Sequence, residues 1–342
     1  MQTVSLAREA MATRFELVLN GSDPVRLRSA GEGALDEVDR QEARLSLYRA
    51  TSEISQVNRL AAGTPVTVSP PVFSLLEECV RLWQSTGGAF DITVAPLMRA
   101  WGFLRGTGRM PTEEAIMAAR AKVGMQHIRL DAARRTVHFE REGMMLDLGA
   151  IGKGYAIDEA VGLLRDDGVV SAFFHGGTST CYALGRPPAF SGWRTAITRD
   201  ELGAPAARPA SPPPEDPAPA RETAVTVVEL VDASLSVSAV KGKAFESDGR
   251  VYGHVIDPRT GWPVQGAQLA AVVGPGATKT DALSTALLVL GEPEMDRLAA
   301  AFPRYGFLSV TREPDGTERI RATEGFSRLH AVRSRIDPDP HE

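Results

Sequence analysis

Between His127 and Phe174 three short strand-like runs follow one another, "HIRLD", "RTVHFE" and "MMLDL", before a single helix, "AIGKGYAIDEAVGLLRDDG", and one further strand, "VVSAFF". Strands and helices that succeed one another without regular strand–helix–strand alternation do not build a doubly wound parallel sheet, so this order predicts an α+β domain. Upstream, a strand in "ATRFELVLN" precedes a helix whose apolar Leu27, Ala30, Ala34, Leu35 and Val38 recur at helical spacing to about Leu45. A second helix opens at Pro70 and Pro71, carries Leu75, Leu76, Cys79, Val80, Leu82 and Trp83, and stops at Gly87-Gly88. Both apolar faces read as core.

With 342 residues, 43% hydrophobic and 24% charged, the chain can bury a large core. The reading is one domain over 1–325, with 326–342 as a flexible polar tail. Residues 203–220, "GAPAARPASPPPEDPAPA", hold too few large apolar side chains to offset ordering entropy and read as a disordered insertion. Strand-like runs resume at "AVTVVELVD" and "LAAVVG", so the insertion interrupts a sheet connection. The net charge of −5 with both signs interspersed excludes a nucleic-acid footprint. Cys79 and Cys181 are too few and too far apart for a disulfide framework or zinc cluster, and read as core.

Several stretches could carry chemistry. In "LDLGAIGKGYAID" a glycine-rich turn opens a helix and presents N–H groups and Lys153 to a phosphate. It fits neither a Walker A loop, since Gly154 replaces the hydroxyl residue, nor G-x-G-x-x-G, since Ile157 stands at the third glycine. A strand-to-helix turn with a surface lysine explains it as well. In "TKTDALSTALLVLG" Asp281 and Thr285 are four apart on one helix face, two hard oxygens of the kind Mg²⁺ takes. On spacing alone an Asp favoured by the helix dipole, with Thr285 packed inside, is the simpler reading. "TGGAFDITVAPLMRAWGF" and "SLYRATSEISQVN" offer aromatic surfaces, the second placing Tyr48 before a short helix capped by Ser52. "HVIDPRTGWPV" holds His254 beside a stiff turn, since Pro258 fixes its own φ and Gly261 and Pro263 mark a reversal.

In this order the segments resemble the ApbE-type flavin transferase family, the FAD:protein FMN transferases, from Met11 to about residue 310. The resemblance implies a single ApbE-like α+β domain that binds FAD as substrate together with Mg²⁺. It implies transfer of FMN to a Ser or Thr hydroxyl of an acceptor protein in trans, with release of AMP. Carried onto this chain, the FAD contacts are Met11, Tyr48, Ala89, Phe90, Asp91, Asp147, Lys153 and the backbone around Ile256. The Mg²⁺ ligands are Asp281, Thr285 and the Ala150 carbonyl. His254 then becomes the base that takes the proton of the acceptor hydroxyl. Two blocks depart from the family pattern: Thr178 of "HGGTST" stands where an acidic residue is usual, and "SVSAVKGKAF" replaces a Ser-Gly-x-Tyr pattern.

Two other functions use the same residues. With water as nucleophile the site is an FAD pyrophosphatase, and without transfer it is a flavin-binding protein. A leader of basic then apolar residues, a lipidation cysteine and an apolar run of about 18 residues are all missing from the chain as given. The expectation is no membrane anchor and a cytoplasmic location, or a periplasmic one if a leader has been removed.

Overall fold

Two extended runs, β1 (Gln2–Ala10) and β2 (Thr13–Gly21), pair along their whole length through a two-residue turn. The turn holds Met11 at φ 50° and Ala12 at φ 58°, the left-handed region that such hairpins need and side-chain-bearing residues rarely adopt. Asp23 then caps α1 (Pro24–Leu45), accepting from the backbone N–H groups of Val25 and Arg26. The computed structural model describes residues 1–198, 224–240, 242–313 and 315–329.

Ser52 caps α2 (Glu53–Leu60), accepting from Ser55 N–H at 3.0 Å. There follow β3 (Val66–Thr67), α3 (Pro70–Ser85), α4 (Ala95–Ala100), α5 (Glu113–Arg120), β4 (Ile128–Asp131) and β5 (Thr136–Phe139). The three strands form a small sheet ordered β3-β5-β4. The expected third run, "MMLDL", is not a strand. Asn58 takes the place of a ladder partner there, accepting from Leu146 N–H at 2.6 Å and donating to Leu146 O at 3.0 Å. A side-chain clamp of this kind leaves no period in the sequence to read.

The remaining elements are α6 (Gly152–Asp166), β6 (Ala172–Gly176), β7 (Thr180–Leu184), β8 (Trp193–Thr198), β9 (Ala224–Leu230), β10 (Ala233–Ala239), β11 (Ala244–Ser247), β12 (Arg250–Gly253), β13 (Ala267–Gly274), α7 (Ala277–Leu290), α8 (Met295–Ala301), β14 (Gly306–Arg312), β15 (Glu318–Ala322) and α9 (Glu324–Leu329). Eight strands make one antiparallel sheet ordered β1-β2-β6-β7-β10-β13-β14-β15. The fold is α+β, as the order of elements predicts.

The sheet is covered on both faces, and side chains alternate between them with period two. Phe174 and Ala172 of β6 pack with Leu35, Val38, Ile157 and Val161 of α1 and α6. Ala270 and Val272 of β13 pack with Leu283 and Leu287 of α7. Phe173, Ala271 and Val273 point the other way, onto Trp193, Val228 and Leu230 of the β8–β9 ladder. Cys79 and Cys181 are buried free thiols.

Residues 203–220 lie outside the described residues; the strands flanking that stretch, β8 and β9, pair with each other. Phe326, the first residue of the expected tail, is instead fully buried against the β8–β9 side of the sheet, within α9. One large apolar side chain among polar neighbours anchors α9, and burying it outweighs the polar composition around it. Residues 330–342 lie outside the described residues.

Candidate functional site

Helix α7 begins one turn before Asp281. Its N-terminus is capped by Asp158, whose carboxylate accepts from the Ala277 and Thr278 N–H groups at 2.8 Å each. The dipole reading of Asp281 therefore fails, since another residue fills that role. Asp281 is buried, with Oδ2 accepting from Gly154 N–H at 3.0 Å and Oδ1 accepting from Thr180 Oγ1 at 3.1 Å. Lys153 Nζ lies 4.0 Å from Oδ1. Helices α6 and α7 cross so closely that a Cβ on Gly154 would stand 2.1 Å from the Ala277 carbonyl oxygen. The glycine at the Walker hydroxyl position is explained by that crossing.

A ladder of buried hydroxyls supports Asp281 from the sheet. Ser236 Oγ is 3.2 Å from Thr180 Oγ1 and 2.8 Å from Thr280 Oγ1, and Ser234 Oγ is 2.8 Å from Thr280 Oγ1. An ionised carboxylate only accepts, so Thr180 donates to it and turns its lone pairs toward Ser236. Farther along α7, Thr285 Oγ1 donates to the Asp281 carbonyl at 3.4 Å and lies 3.2 Å from Ser238 Oγ.

The turn ahead of α6 folds over the same place. Gly149 N–H donates to Asp147 Oδ1 at 2.8 Å and Lys153 Nζ donates to Gly149 O at 3.2 Å, with Ala150 next in the turn. Asp147, Ala150, Lys153, Asp281 and Thr285 are thus brought together. Carboxylate, hydroxyl and main-chain carbonyl are all hard oxygens, a donor set that fits Mg²⁺. Among the described residues no group of three or more His, Cys, Asp and Glu side chains could hold a metal ion. A single carboxylate leaves most of a cation's charge for the oxygens of a substrate.

His254 follows β12 and precedes the turn that its sequence announces. Asp257 N–H donates to Trp262 O at 2.9 Å, Gly261 N–H to Asp257 O at 2.8 Å, and Val264 N–H to Val255 O at 2.9 Å, with Gly261 at φ 84°. Ile256 is buried and bridges Pro263 within this reversal. Trp101 Nε1 pins the turn by donating to Gly261 O at 2.9 Å. The imidazole Nδ1 is buried without a hydrogen-bond partner among the described residues. Burial pushes the His254 pKa below its ordinary value; a hydrogen bond with the Lys243 backbone opposes this, and the Lys243 and Lys153 charges add to the lowering. Burial raises the pKa of Asp147, against which the Gly149 N–H, Lys153 and Lys243 act. The charges of the same two lysines thus act on both His254 and Asp147.

The other predicted contacts are spread around it. Tyr48 is largely exposed, its hydroxyl donating to Leu104 O at 2.9 Å, and desolvation and the Asp147 charge raise its pKa. Ala89 and Phe90 are buried core residues. Asp91 spends its carboxylate internally, accepting from Thr93 N–H at 2.8 Å, Thr93 Oγ1 at 2.5 Å and Met125 N–H at 3.3 Å. Met11 packs on the apolar cluster beneath α1 and α6.

Residues 11–307 match the family model of the ApbE family. The chain belongs to the ApbE family. An FAD:protein FMN transferase of Treponema pallidum is 31% identical over 338 residues, 94% of this chain and 89% of that one. An FAD:protein FMN transferase of Vibrio cholerae is 29% identical over 299 residues, 86% of this chain and 82% of the relative. The crystal structure of the ApbE protein of Thermotoga maritima superposes with a TM-score of 0.79 at 25% identity, covering 96% of this chain and 99% of that one. The flavin transferase ApbE of Vibrio cholerae gives 0.77, also at 25% identity, over 96% and 99%.

In this ApbE-family chain, sequence reasoning passed over Lys243, Thr180 and the serines of β10. The serines carry a readable signal, since Ser234, Ser236 and Ser238 alternate with apolar residues and so share the face that meets α7. Thr180 and Lys243 carry none, because only the sheet order and the β11–β12 hairpin bring them to Asp281 and His254.

Proposed function

We propose that this ApbE-family transferase moves the FMN part of FAD onto a Ser or Thr hydroxyl of an acceptor protein and releases AMP, with Mg²⁺ as cofactor. The observation that carries the reading is the pairing of a buried, doubly anchored Asp281 beside Lys153 with an imidazole, His254, held on a pinned turn and acted on by Lys153 and Lys243. An acid for a metal, cations for phosphates and a neutral imidazole for a proton are what attack on a pyrophosphate needs.

In this reading Lys153 and Lys243 hold phosphate oxygens and orient the pyrophosphate. Asp281, Thr285 and the Ala150 carbonyl hold Mg²⁺, which when bound neutralises charge growing on the pyrophosphate. His254, kept neutral by burial, takes the proton of the acceptor hydroxyl as its oxygen bonds to the FMN phosphorus and the phosphoanhydride bond to AMP breaks. Tyr48, Asp147, Met11 and the Ala89–Asp91 and Ile256 segments contact the rest of FAD, and Asp91 contributes through the backbone it holds.

The test is AMP release from FAD by the purified protein, with Mg²⁺ or EDTA, with or without a peptide carrying Asp-x-x-Thr-Gly-Ala-Thr. Peptide-dependent, EDTA-sensitive AMP release is expected. AMP and free FMN at the same rate without peptide would make water the nucleophile, and intact bound FAD in every condition would make the chain a flavin-binding protein.

A further inference from the structure

Helices α6 and α7 are tied to each other at two points one helical turn apart. Gly154 and Asp158 are four apart on α6, and Ala277 and Asp281 are four apart on α7, so each pair shares one face of its helix. At the first point α6 donates, Gly154 N–H giving its hydrogen to Asp281 Oδ2 at 3.0 Å. At the second α6 accepts: Asp158 Oδ1 takes the Ala277 N–H at 2.8 Å, and Oδ2 takes the Thr278 N–H at 2.8 Å and the Thr278 hydroxyl at 2.6 Å. Among the described residues these are the only hydrogen bonds of the Asp158 carboxylate, so it serves the first turn of α7 alone.

A helix start is ordinarily capped by the side chain of the residue just before it, which steadies the helix on its own. Here that residue is Gly276, which has no side chain, and the cap comes from the neighbouring helix. A cap supplied by α6 fixes where α7 lies along α6 as well as where it starts. The crossing leaves no slack, since a Cβ on Gly154 would meet the Ala277 carbonyl oxygen at 2.1 Å and Asp281 Cβ at 2.9 Å. Lys153, 4.0 Å from Asp281 Oδ1, is also carried by α6. The placing of the buried carboxylate against its lysine is thus set by the helix pair that Asp158 ties. Asp158 itself borders a separate cavity of about 520 Å³ with Tyr155, Gly276, Thr278 and Lys279, and Asp147, Lys153, Asp281 and His254 are not among the residues lining it.

We propose that Asp158 is a positioning residue for the transfer reaction: by holding the start of α7 on α6 it places Asp281 for Mg²⁺, without itself touching metal or substrate. This rests on the reading of Asp281 as a Mg²⁺ ligand given above. A residue that orients a ligand from outside changes metal affinity through geometry and leaves the ligands themselves in place. Its loss therefore weakens Mg²⁺ binding in a way that excess Mg²⁺ overcomes, whereas loss of Asp281 removes the ligand outright.

In the experiment Mg²⁺ is titrated calorimetrically into the intact, FAD-loaded protein without acceptor, well below its melting temperature, and transfer is then followed over a range of Mg²⁺ concentrations. Asp158→Asn keeps the size of the side chain while removing its charge and one acceptor. It should weaken Mg²⁺ binding about 10- to 100-fold, leave FAD affinity in EDTA within about twofold, and regain most of the wild-type kcat at high Mg²⁺. Thr278→Val, which removes only the hydroxyl donor, should shift Mg²⁺ binding the same way by a smaller factor, and it decides the matter if Asp158→Asn folds poorly. Phe326→Leu, in the cluster beneath β8 and β9, is the control for stability alone and should lower the melting temperature with Mg²⁺ affinity unchanged. Wild-type Mg²⁺ affinity in Asp158→Asn and Thr278→Val, whatever their melting temperatures, would overturn the proposal and leave Asp158 a helix cap. A loss of Mg²⁺ affinity in Phe326→Leu as large as in Asp158→Asn would overturn it too. Asp281→Ala binding Mg²⁺ as tightly as wild type would overturn the metal reading itself, and the proposal with it.

Discussion

Around Asp281 both carboxylate oxygens already have donors from α6 and β7, and the hydroxyls behind them are buried and paired with one another. Around His254 the ring Nδ1 has no partner among the described residues and the neighbouring Lys243 is exposed. The two regions sit beside the same lysine yet are finished to different degrees. The Asp281 side is held in place by packing and by donors to both carboxylate oxygens. The His254 side is held through the backbone turn that follows it, which Trp101 pins.

The largest effect is expected where the contrast is sharpest. Asp281→Ala should lower FMN transfer about 10³-fold or more, by removing both charge stabilisation and the anchor of Gly154. It should also lower the melting temperature, because the Gly154 N–H and the Thr180 hydroxyl lose their acceptor. His254→Ala should cost about 10²- to 10³-fold in transfer, the range of a general base, with FAD affinity and melting temperature near wild type. A large stability loss in His254→Ala would erase the contrast between the two regions.

Asp91→Ala belongs to neither half and should act on the scaffold, costing about 2–3 kcal/mol as Thr93 and Met125 lose their buried acceptor. Chemical denaturation reads this; a fall in FAD affinity at unchanged stability would instead move Asp91 into the site. Thr180→Val should weaken Mg²⁺ binding and transfer about tenfold while Thr180→Ser stays near wild type, the difference one hydrogen bond to a charged group makes. Thr195→Val, which removes a buried hydroxyl without a hydrogen-bond partner among the described residues, is the matched control and should leave metal affinity unchanged.

The smallest effect is in pH. Burial and the two lysines lower the His254 pKa, so the base stays neutral to a lower pH than an ordinary histidine of about 6.5. The acid limb of kcat/KM should therefore lie below that value, with activity lost only as pH falls through the lowered pKa. Lys243→Met should move the limb upward, and a limb that stays in place would separate Lys243 from the imidazole.

Much of the fold was legible in the chain, where local signals agree with the tertiary result. Leu27 to Leu45 shows the period of a core-facing helix, Pro70 and Pro71 start α3 as their fixed φ requires, and Gly261 closes the His254 turn. The failures came where a single distant residue decides. Asn58 holds Leu146 across 88 positions where a strand was expected, and Phe326 packs into the cluster beneath β8 and β9 where polar chain was expected. In the site, the spacing of Asp281 and Thr285 was readable, but the cap of α7 was not: it is Asp158, one helix away and invisible in the motif. The β1–β2 turn is a milder case: Met11 and Ala12 occupy a conformation that usually calls for Asn or Gly, and the sequence gives no hint of it.

The proposal that His254 and Asp281 serve one phosphoanhydride is tested most directly by the mass of the acceptor peptide after incubation with FAD and Mg²⁺. Wild type should add one FMN per peptide at a Thr or Ser hydroxyl, while His254→Ala and Asp281→Ala leave it unmodified over the same time. An FMN adduct formed by His254→Ala at the wild-type rate, with FAD bound normally, would contradict it.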